Sequence, residues 1–283
     1  MKVQTAICFA LAWVLVAGCE GQRSIDTTLT TTSGGQQRTT LVHHPGGEET
    51  PLIIVMHGYG GNASDMKYWT KMDSLADLHG YAVCYPEGTV DARGLQHWNA
   101  NFTWTDTDDM TFIADLITQM EAEFNIDTDN VFACGFSNGG FMSYALACAQ
   151  PELIQAIGSV AGTMSAADAA TCPMDAAVPV IQFCGLSDQT IPYNGAIAFP
   201  QFGGAPAMPE VMASWAARHG LSTLQTEPLS GFDPAWGDVQ RHAYKEQGRP
   251  APVEWITYAR GPHTWFEGAS EQLFVFFESH RTP

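Results

Sequence analysis

Apolar residues are grouped in short runs along the chain, and longer amphipathic stretches separate these runs. Mostly apolar runs occur at residues 52–56, 81–85, 131–134, 156–160, 178–183 and 253–258. Such runs are typical of strands that are buried on both faces of a parallel sheet. Helices are predicted at residues 62–79, 107–124, 139–149, 209–219 and 271–279. The alternation predicts an α/β protein with a mostly parallel central sheet and helices on both faces.

The first 18 residues predict an export signal rather than part of the fold. Lys2 precedes an apolar stretch at residues 6–17, which is too short for a membrane-spanning helix and is typical of a signal-peptide core. Residues 16–19 read Val-Ala-Gly-Cys and resemble the lipobox of bacterial lipoproteins, so Cys19 is predicted to carry lipid. An ordinary signal peptide is the alternative. The sequence therefore predicts a protein anchored to the bacterial cell envelope by lipid alone, or secreted.

Residues 19–37 are polar and rich in threonine. They are interpreted as a tether between the lipid and the folded domain. An edge strand is the alternative, because threonine also suits strands. Neither an internal repeat nor a second linker follows, so residues 38–283 are predicted to form one domain.

Composition excludes several classes of protein. The chain has 30 acidic and 12 basic residues, which give a net charge of −18 and argue against a nucleic-acid partner. Hydrophobic residues make up 45% of the chain and charged residues 15%. These proportions exclude a disordered chain and a coiled coil.

A serine flanked by glycines lies between a predicted strand and a predicted helix. Residues 135–140 read Gly-Phe-Ser-Asn-Gly-Gly and match the pattern G-x-S-x-G. The glycines allow a sharp turn with Ser137 at its apex, and the following helix N-terminus favours negative charge there. This context predicts that Ser137 is a nucleophile. The alternative is an ordinary serine in a glycine-rich turn.

A second glycine-rich segment, His-Gly-Tyr-Gly-Gly at residues 57–61, follows the predicted strand at 52–56. A tetrahedral oxyanion needs two preorganised N–H donors. The predicted donors are the backbone N–H groups of Tyr59 and of Asn138, the residue after the serine. A simple turn without a donor role is the alternative for this segment.

A serine nucleophile needs a histidine base and an acid that orients the base. Among nine histidines, His263 follows the predicted strand at 253–258 and comes after Ser137. Asp188 follows the predicted strand at 178–183, which places it between the serine and the histidine as the order requires. Asp233 and Asp238 are the alternatives, but they lie in a loop that contains proline and glycine.

Five cysteines remain after Cys19. Three are predicted to be buried, unreactive thiols because they lie in strand-like runs: Cys84, Cys134 and Cys184. Cys148 and Cys172 lie outside these runs and could pair in an oxidising compartment. The sequence does not fix the pairing.

Aromatic side chains near the motifs are candidates for substrate contact. Trp98 and Trp265 are the leading ones, together with the ring of Tyr59, and core packing is the alternative. Asp108 and Asp109 are interpreted as charges that complement a helix dipole, because this segment lacks the glycine and the distant glutamate of a calcium loop. Neither a metal ion nor a cofactor is predicted.

Together these segments resemble the polyhydroxybutyrate depolymerase/feruloyl esterase group, which is carbohydrate esterase family 1 of the α/β-hydrolases. The resemblance extends from about residue 38 to 278 and includes residues 57–61, 85–88, 98–100, 135–140, 185–188, 191–193 and 263–265. It implies a catalytic triad of Ser137, Asp188 and His263. It also implies a disulfide between Cys148 and Cys172.

The resemblance implies a serine esterase that forms an acyl-enzyme. Its substrates would be feruloyl or acetyl esters of polysaccharide, or short hydroxyalkanoate polyesters. An acyltransferase and a non-catalytic binding lipoprotein are the alternatives. The chain departs from the family at residues 184–188, Cys-Gly-Leu-Ser-Asp, where His-Gly-Thr-Ala-Asp is common, and at residues 260–262, Arg-Gly-Pro, where glycines are common. Both departures are expected to reshape the pocket without removing a catalytic group.

Overall fold

The computed structural model describes residues 24–197 and 202–283. The strands of the main sheet are β1 (Ile25–Ser33), β2 (Gln36–His44), β3 (Thr50–Met56), β4 (Ala82–Pro86), β7 (Ile126–Phe136), β8 (Ala156–Val160), β9 (Val180–Gly185), β10 (Leu224–Leu229), β11 (Val239–Tyr244) and β12 (Val253–Tyr258). A separate two-stranded ribbon contains β5 (Thr89–Val90) and β6 (Gln96–His97). The helices are α1 (Ala63–Thr70), α2 (Met72–His79), α3 (Asp109–Phe124), α4 (Asn138–Ala149), α5 (Ala166–Thr171), α6 (Met208–Arg218) and α7 (Ala269–Ser279).

The main sheet has ten strands in the order β1-β2-β4-β3-β7-β8-β9-β12-β11-β10. Its six central strands, from β4 to β12, are parallel, and these are the six strands that the apolar runs predict. The pairs β1–β2 and β10–β11 extend the two edges in antiparallel fashion. The predicted α/β class with a mostly parallel centre is therefore confirmed.

The central strands are apolar throughout because both of their faces are covered. All seven residues of β3 are buried. Leu52 and Ile54 pack into the hydrophobic core on one face of the sheet, whereas Ile53 and Val55 pack into the core on the other face. The period of two residues along a strand thus divides one apolar run between two cores.

The structure corrects the predicted tether at residues 19–37. Residues 25–37 lie in the hairpin formed by β1 and β2, so the alternative of an edge strand describes them. The hairpin packs against the rest of the protein because alternate side chains at the end of β1, namely Leu29, Thr31 and Ser33, are buried. The hydroxyl of Thr31 also donates to Gln119 on α3 at 2.7 Å. The predicted signal peptide and Cys19 lie outside the described residues. Within residues 24–197 and 202–283, no helix is long and apolar enough to span a membrane.

The structure also corrects the single helix predicted at residues 62–79. Two helices, α1 and α2, meet at Lys71, which adopts a left-handed conformation with φ of 52°. Left-handed conformations are costly for residues with a side chain, and glycine or asparagine usually marks them. Because a lysine occupies this position, the sequence gives no signal of the break.

Cys148, near the end of α4, forms a disulfide with Cys172, which follows α5. This is the pair that the resemblance implies. The remaining cysteines of the described chain are buried free thiols, as predicted: Cys84, Cys134 and Cys184. Burial raises the pKa of each of these thiols, which keeps them protonated.

Candidate active site

Ser137 lies at the sharp turn between β7 and α4. Its backbone is held at φ of 51° and ψ of −114°, a strained combination for a residue with a side chain. A Cβ atom on Gly135 would approach Gly139 to 2.4 Å, and one on Gly139 would lie 2.2 Å from the carbonyl oxygen of Met56. Only glycines fit on both sides of the turn, which is the reason for the G-x-S-x-G pattern. Ser137 is 8% exposed, so most of the residue is buried at this turn.

His263 connects Ser137 to Asp188 through two hydrogen bonds. Its Nδ1 lies 2.8 Å from Oδ2 of Asp188, and its Nε2 lies 3.0 Å from Oγ of Ser137. A carboxylate can only accept, so Nδ1 carries the proton and Nε2 presents its lone pair to the serine hydroxyl. This tautomer can remove the serine proton. The structure thus brings together the three residues that the sequence analysis selected from different parts of the chain.

The loops that follow β9 and β12 are in direct contact, and this contact unites the acid with the base. The backbone N–H of Ser187 donates to the carbonyl of Gly261 at 3.1 Å. A Cβ atom on Gly185 would lie only 2.1 Å from that same carbonyl oxygen. Glycine at position 185 is therefore required for the two loops to pack against each other.

Asp188 is buried and firmly held. Its Oδ1 accepts hydrogen bonds from the backbone N–H groups of Thr190 at 2.7 Å and Ile191 at 2.9 Å, which leaves Oδ2 for His263. Asp233, an alternative acid, instead accepts from the backbone of Ala235 at the start of a short 3-10 helix and is exposed. Asp238, the other alternative, is also exposed. The structure therefore favours Asp188 over both.

Two free backbone donors flank the serine. Asn138 begins α4, so its N–H has no acceptor within the helix, and the N–H of Tyr59 lies in the loop after β3. Neither group donates to an acceptor in the described part of the chain. The loop backbone is close to the serine, because a Cβ on Gly58 would lie 3.4 Å from Cβ of Ser137. These positions suit the two donors of an oxyanion hole.

His57 fixes the loop that carries Tyr59. Its Nε2 accepts from the backbone N–H of Gly88 at 2.9 Å, so the proton is on Nδ1, which donates to the carbonyl of Gly58 at 2.7 Å. Burial lowers the pKa of His57 to about 4, and this keeps the ring neutral. In the sequence, His57 stands out only as part of the glycine-rich motif, and no local pattern signals this positioning role.

Trp98 is not in the accessible site, contrary to its selection as a substrate contact. The side chain is fully buried at 0% exposure, and its indole N–H donates to the carbonyl of His57 at 3.0 Å. Its backbone exchanges two hydrogen bonds with the side-chain amide of Asn138, at 2.7 and 3.0 Å. The alternative of core packing describes Trp98, since its hydrogen bonds to His57 and Asn138 support the two segments that carry the N–H groups of Tyr59 and Asn138.

The other two aromatic candidates line different pockets: Trp265 lies in the groove beside His263, and Tyr59 lines a separate pocket. Trp265 is half-buried beside His263, and its indole N–H donates to the hydroxyl of Ser270 at 3.1 Å. The ring of Tyr59 packs edge-on against Trp104, and its hydroxyl donates to Asp91 at 2.6 Å. Trp265 therefore stays a candidate for substrate contact.

The described residues contain one group of side chains that could be considered for a metal ion. Asp26, His43 and Asp73 place three ligand atoms within 4.8 Å of one another. The ammonium group of Lys67 lies 2.6 Å from a carboxylate oxygen of Asp26 and 2.6 Å from one of Asp73. Because this cation already pairs with both carboxylates, the group is an ion-pair cluster that joins β1 and β2 to α1 and α2.

The family of esterase PHB depolymerases matches residues 40–229, which extend from β2 to the end of β10. The match covers well over half of the sequence and includes Tyr59, Ser137 and Asp188. The chain belongs to the esterase PHB depolymerase family. His263 lies beyond the matched segment, so its selection depends on chain order and on its contacts in the structure.

Several esterases are similar to this family member in sequence. NocK of Nocardia uniformis subsp. tsuyamanensis, which is named as an esterase, is 30% identical over 206 residues, or 71% of this chain and 55% of NocK. Feruloyl esterase B of Piromyces equi is 29% identical over 52% of this chain and 28% of that protein. The matches thus span about half or less of these relatives' own lengths.

Solved structures show the same fold. Acetyl xylan esterase from Aspergillus awamori superimposes with a TM-score of 0.65 at 16% identity, and the alignment covers 89% of this chain and 99% of that one. An S-formylglutathione hydrolase from Agrobacterium tumefaciens gives a TM-score of 0.61 at 11% identity, covering 91% of this chain and 96% of that one. At these identities the likeness establishes the α/β-hydrolase fold.

The structure of this family member also reveals a buried network that the sequence analysis missed. Asp109 pairs with Arg38 of β2, and its other oxygen accepts from the backbone N–H of Asn99 at 2.6 Å. Asp108, rather than Asp109, caps α3 by accepting from the N–H of Thr111 at 3.0 Å. Asp109 thus lies in the first turn of α3, as predicted, and in addition forms a buried ion pair that was not predicted. The network holds the segment that contains Trp98, and nothing in the spacing of these residues predicts it.

Proposed function

We propose that the chain is a serine carboxylic-ester hydrolase whose catalytic residues are Ser137, His263 and Asp188. The observation that carries the proposal is the continuous hydrogen-bond chain from Asp188 through His263 to a serine held at a strained turn. A serine that is hydrogen-bonded in this way to the Nε2 of a histidine is arranged for nucleophilic attack. Feruloyl or acetyl esters of polysaccharide, and short hydroxyalkanoate polyesters, are the proposed substrates.

The reaction begins when His263 accepts the hydroxyl proton of Ser137 and the serine oxygen attacks the ester carbonyl carbon. The negative charge that develops on the carbonyl oxygen is stabilised by the backbone N–H groups of Tyr59 and Asn138. Asp188 keeps the imidazole in the tautomer that can accept at Nε2 and stabilises the imidazolium that forms. The imidazolium then gives its proton to the leaving alcohol oxygen, and an acyl-serine remains.

Water completes the cycle. His263 removes a proton from water, the resulting hydroxide attacks the acyl-serine, and the same two N–H groups stabilise the second oxyanion. The proton then passes from His263 to Ser137 as the free acid leaves. Several relatives are named feruloyl esterases, which supports feruloyl esters as substrates. The matching segments span only part of those proteins.

The proposal is tested by acid release from the chain beginning at residue 20. The substrates are methyl ferulate, acetylated xylan and a hydroxybutyrate oligomer, and the Ser137→Ala variant is the reference. We expect turnover of at least one substrate and a decrease of at least about 10³-fold in Ser137→Ala. A fluorophosphonate probe should label the wild type at Ser137 and leave the variant unlabelled.

Three results would contradict the proposal. Equal activity in Ser137→Ala would remove the serine from the mechanism. Failure of the wild type to release acid or to react with the probe would favour a non-catalytic binding protein, whereas probe labelling with transfer to an added alcohol in place of hydrolysis would indicate an acyltransferase.

Export and lipid attachment at Cys19 are part of the same proposal. The support is the Val-Ala-Gly-Cys sequence at residues 16–19 and the disulfide between Cys148 and Cys172, since disulfides persist in oxidising compartments. Labelling with radioactive palmitate should modify the wild type in a bacterial host and leave Cys19→Ser unmodified. Equal labelling of both would exclude Cys19 as the lipidated residue.

A further inference from the structure

A groove of about 550 Å³ opens directly beside His263. One wall contains Tyr68 and Trp69, from the end of α1, and Lys71, which follows it. Phe136, His263, Thr264 and Trp265 form a second wall. The groove thus begins at the proposed catalytic base and leads away from it over the surface of the protein.

The two walls are joined by hydrogen bonds. The indole N–H of Trp265 donates to Oγ of Ser270 at 3.1 Å, and this hydroxyl donates to the carbonyl of Thr70 at 2.7 Å. Ser270 is buried, so this connection is shielded from water. It fixes the end of α1, where Tyr68 and Trp69 lie, relative to the loop that carries His263. The width of the groove is therefore set by the fold.

Tyr68 and Trp69 are unusually exposed for their size. Tyr68 is 76% exposed and Trp69 is 51% exposed. The two residues are adjacent in the sequence and lie beside the proposed catalytic base. Within the described chain, neither side chain makes a hydrogen bond or contacts another aromatic ring. Exposed aromatic groups that line a groove commonly mark a surface that binds a ligand. The left-handed conformation of Lys71 ends α1 at this point and places a cationic side chain next to the two rings.

The reaction itself decides which part of an ester lies in this groove. His263 must give its proton to the leaving alcohol oxygen, and a proton donor must be within hydrogen-bond reach of the atom that it protonates. The alcohol portion therefore leaves on the side of His263. The oxyanion donors belong to a different wall of the site, formed by the loop after β3 and the start of α4.

We propose that the groove lined by Tyr68, Trp69 and Trp265 binds the sugar chain that forms the alcohol side of a polysaccharide ester. The proposal rests on the proposed esterase function. Flat aromatic faces can contact the C–H faces of sugar rings, and the ammonium group of Lys71 can donate hydrogen bonds to sugar hydroxyls. A combination of apolar faces and a few polar groups is typical of sites for ligands that have both kinds of surface.

The test compares two esters that share an acyl group but differ in the alcohol. The acyl group is whichever the wild type accepts: methyl ferulate is paired with a feruloylated arabinoxylan oligosaccharide, or 4-nitrophenyl acetate with acetylated xylo-oligosaccharide. In the double variant Tyr68→Ala/Trp69→Ala, kcat/KM for the oligosaccharide ester should fall about tenfold or more relative to that for the small ester. Val275→Ala, which removes an exposed apolar side chain on α7, is the control and should leave the ratio unchanged.

An unchanged ratio in the double variant would overturn the proposal, whether both activities fell together or neither changed. A second measurement does not require catalysis. Titration calorimetry of Ser137→Ala with unesterified xylohexaose should detect binding that is at least tenfold weaker when Tyr68→Ala/Trp69→Ala is added. If the wild type hydrolyses no ester but this binding is observed, the proposed esterase function fails and the sugar site remains. If the wild type hydrolyses esters but the double variant changes neither the binding of xylohexaose nor the ratio, the sugar site is wrong and the esterase function remains.

Discussion

His57 and His263 each lie just beyond the carboxyl end of a parallel strand, His57 after β3 and His263 after β12. Both rings use both of their nitrogens. The ring of His57 is enclosed, and its partners are the backbone groups of Gly58 and Gly88. The side chain of His263 is 20% exposed, and its partners are the side chains of Asp188 and Ser137.

The difference between the two regions shows how the partners of a residue determine its role. Backbone partners cannot exchange protons at accessible pH, so His57 can only fix the loop that carries Tyr59. A carboxylate on one side and a hydroxyl on the other allow His263 to accept and release a proton during a reaction. The same type of residue at equivalent positions of the sheet therefore serves structure in one loop and, as proposed, catalysis in the other.

The comparison is tested most strongly by replacing each histidine with alanine. In His263→Ala we expect kcat/KM for ester hydrolysis to fall by at least about 10³-fold because the base is lost, with little change in stability. In His57→Ala we expect the free energy of unfolding to fall by about 3 kcal/mol, because the backbone groups of Gly58 and Gly88 lose their buried partner. Steady-state kinetics and urea unfolding measure the two effects.

These expectations can be contradicted separately. A His263→Ala variant with near wild-type activity would exclude the proposed base. A His57→Ala variant of unchanged stability would show that water replaces the imidazole without cost, and the positioning role of His57 would then be wrong.

The pH dependence of stability sharpens the same comparison. The pKa of His57 is lowered from 6.5 to about 4 by burial, so below pH 6.5 the unfolded chain binds a proton that the folded chain does not accept until about pH 4. Stability should therefore decrease as the pH falls through this window, and His57 should contribute up to about 3 kcal/mol of that decrease. Urea unfolding at pH 7 and pH 4.5 measures it, with His57→Gln as the reference that lacks the titrating ring. Identical pH profiles for the two proteins would show that His57 is not responsible.

The smallest expected effect concerns Trp98, which supports the His57 loop from the core. Trp98→Phe keeps a buried aromatic ring but removes the indole N–H that donates to the carbonyl of His57. We expect a loss of about 1 kcal/mol in stability, the usual contribution of one buried hydrogen bond. Differential scanning calorimetry measures this change. A loss of activity without a loss of stability would instead indicate that Trp98 acts on the loop geometry around Tyr59.

Several features of the site could be predicted because their signals are local. The turn at Ser137 needs glycine on both sides, and those glycines are visible in the sequence. The order of strands along the chain indicated Asp188 and His263, because residues that follow parallel strands meet at one edge of the sheet. Trp98 and Asp109 could not be assigned in this way. Their roles depend on His57, Arg38 and other partners that are distant in the sequence.

The sequence by itself determined the class of fold and the strands of the parallel centre, and it indicated Ser137 and His263 for the proposed triad, since apolar runs, glycine spacing and chain order are properties of the chain alone. Asp188 was its leading acid, and the contacts in the structure favour Asp188 over Asp233 and Asp238. Tertiary structure decided the rest. Threonine-rich residues 25–33 form a strand that pairs with β2 along one edge and contacts α3 through Thr31, and a lysine adopts a left-handed conformation where α1 and α2 meet. The groove beside His263 lies between segments that Ser270 links by a hydrogen bond to Thr70, 200 residues away in the chain. Burial and hydrogen-bond partners come from contacts of that kind, and a pattern of neighbouring residues does not encode them.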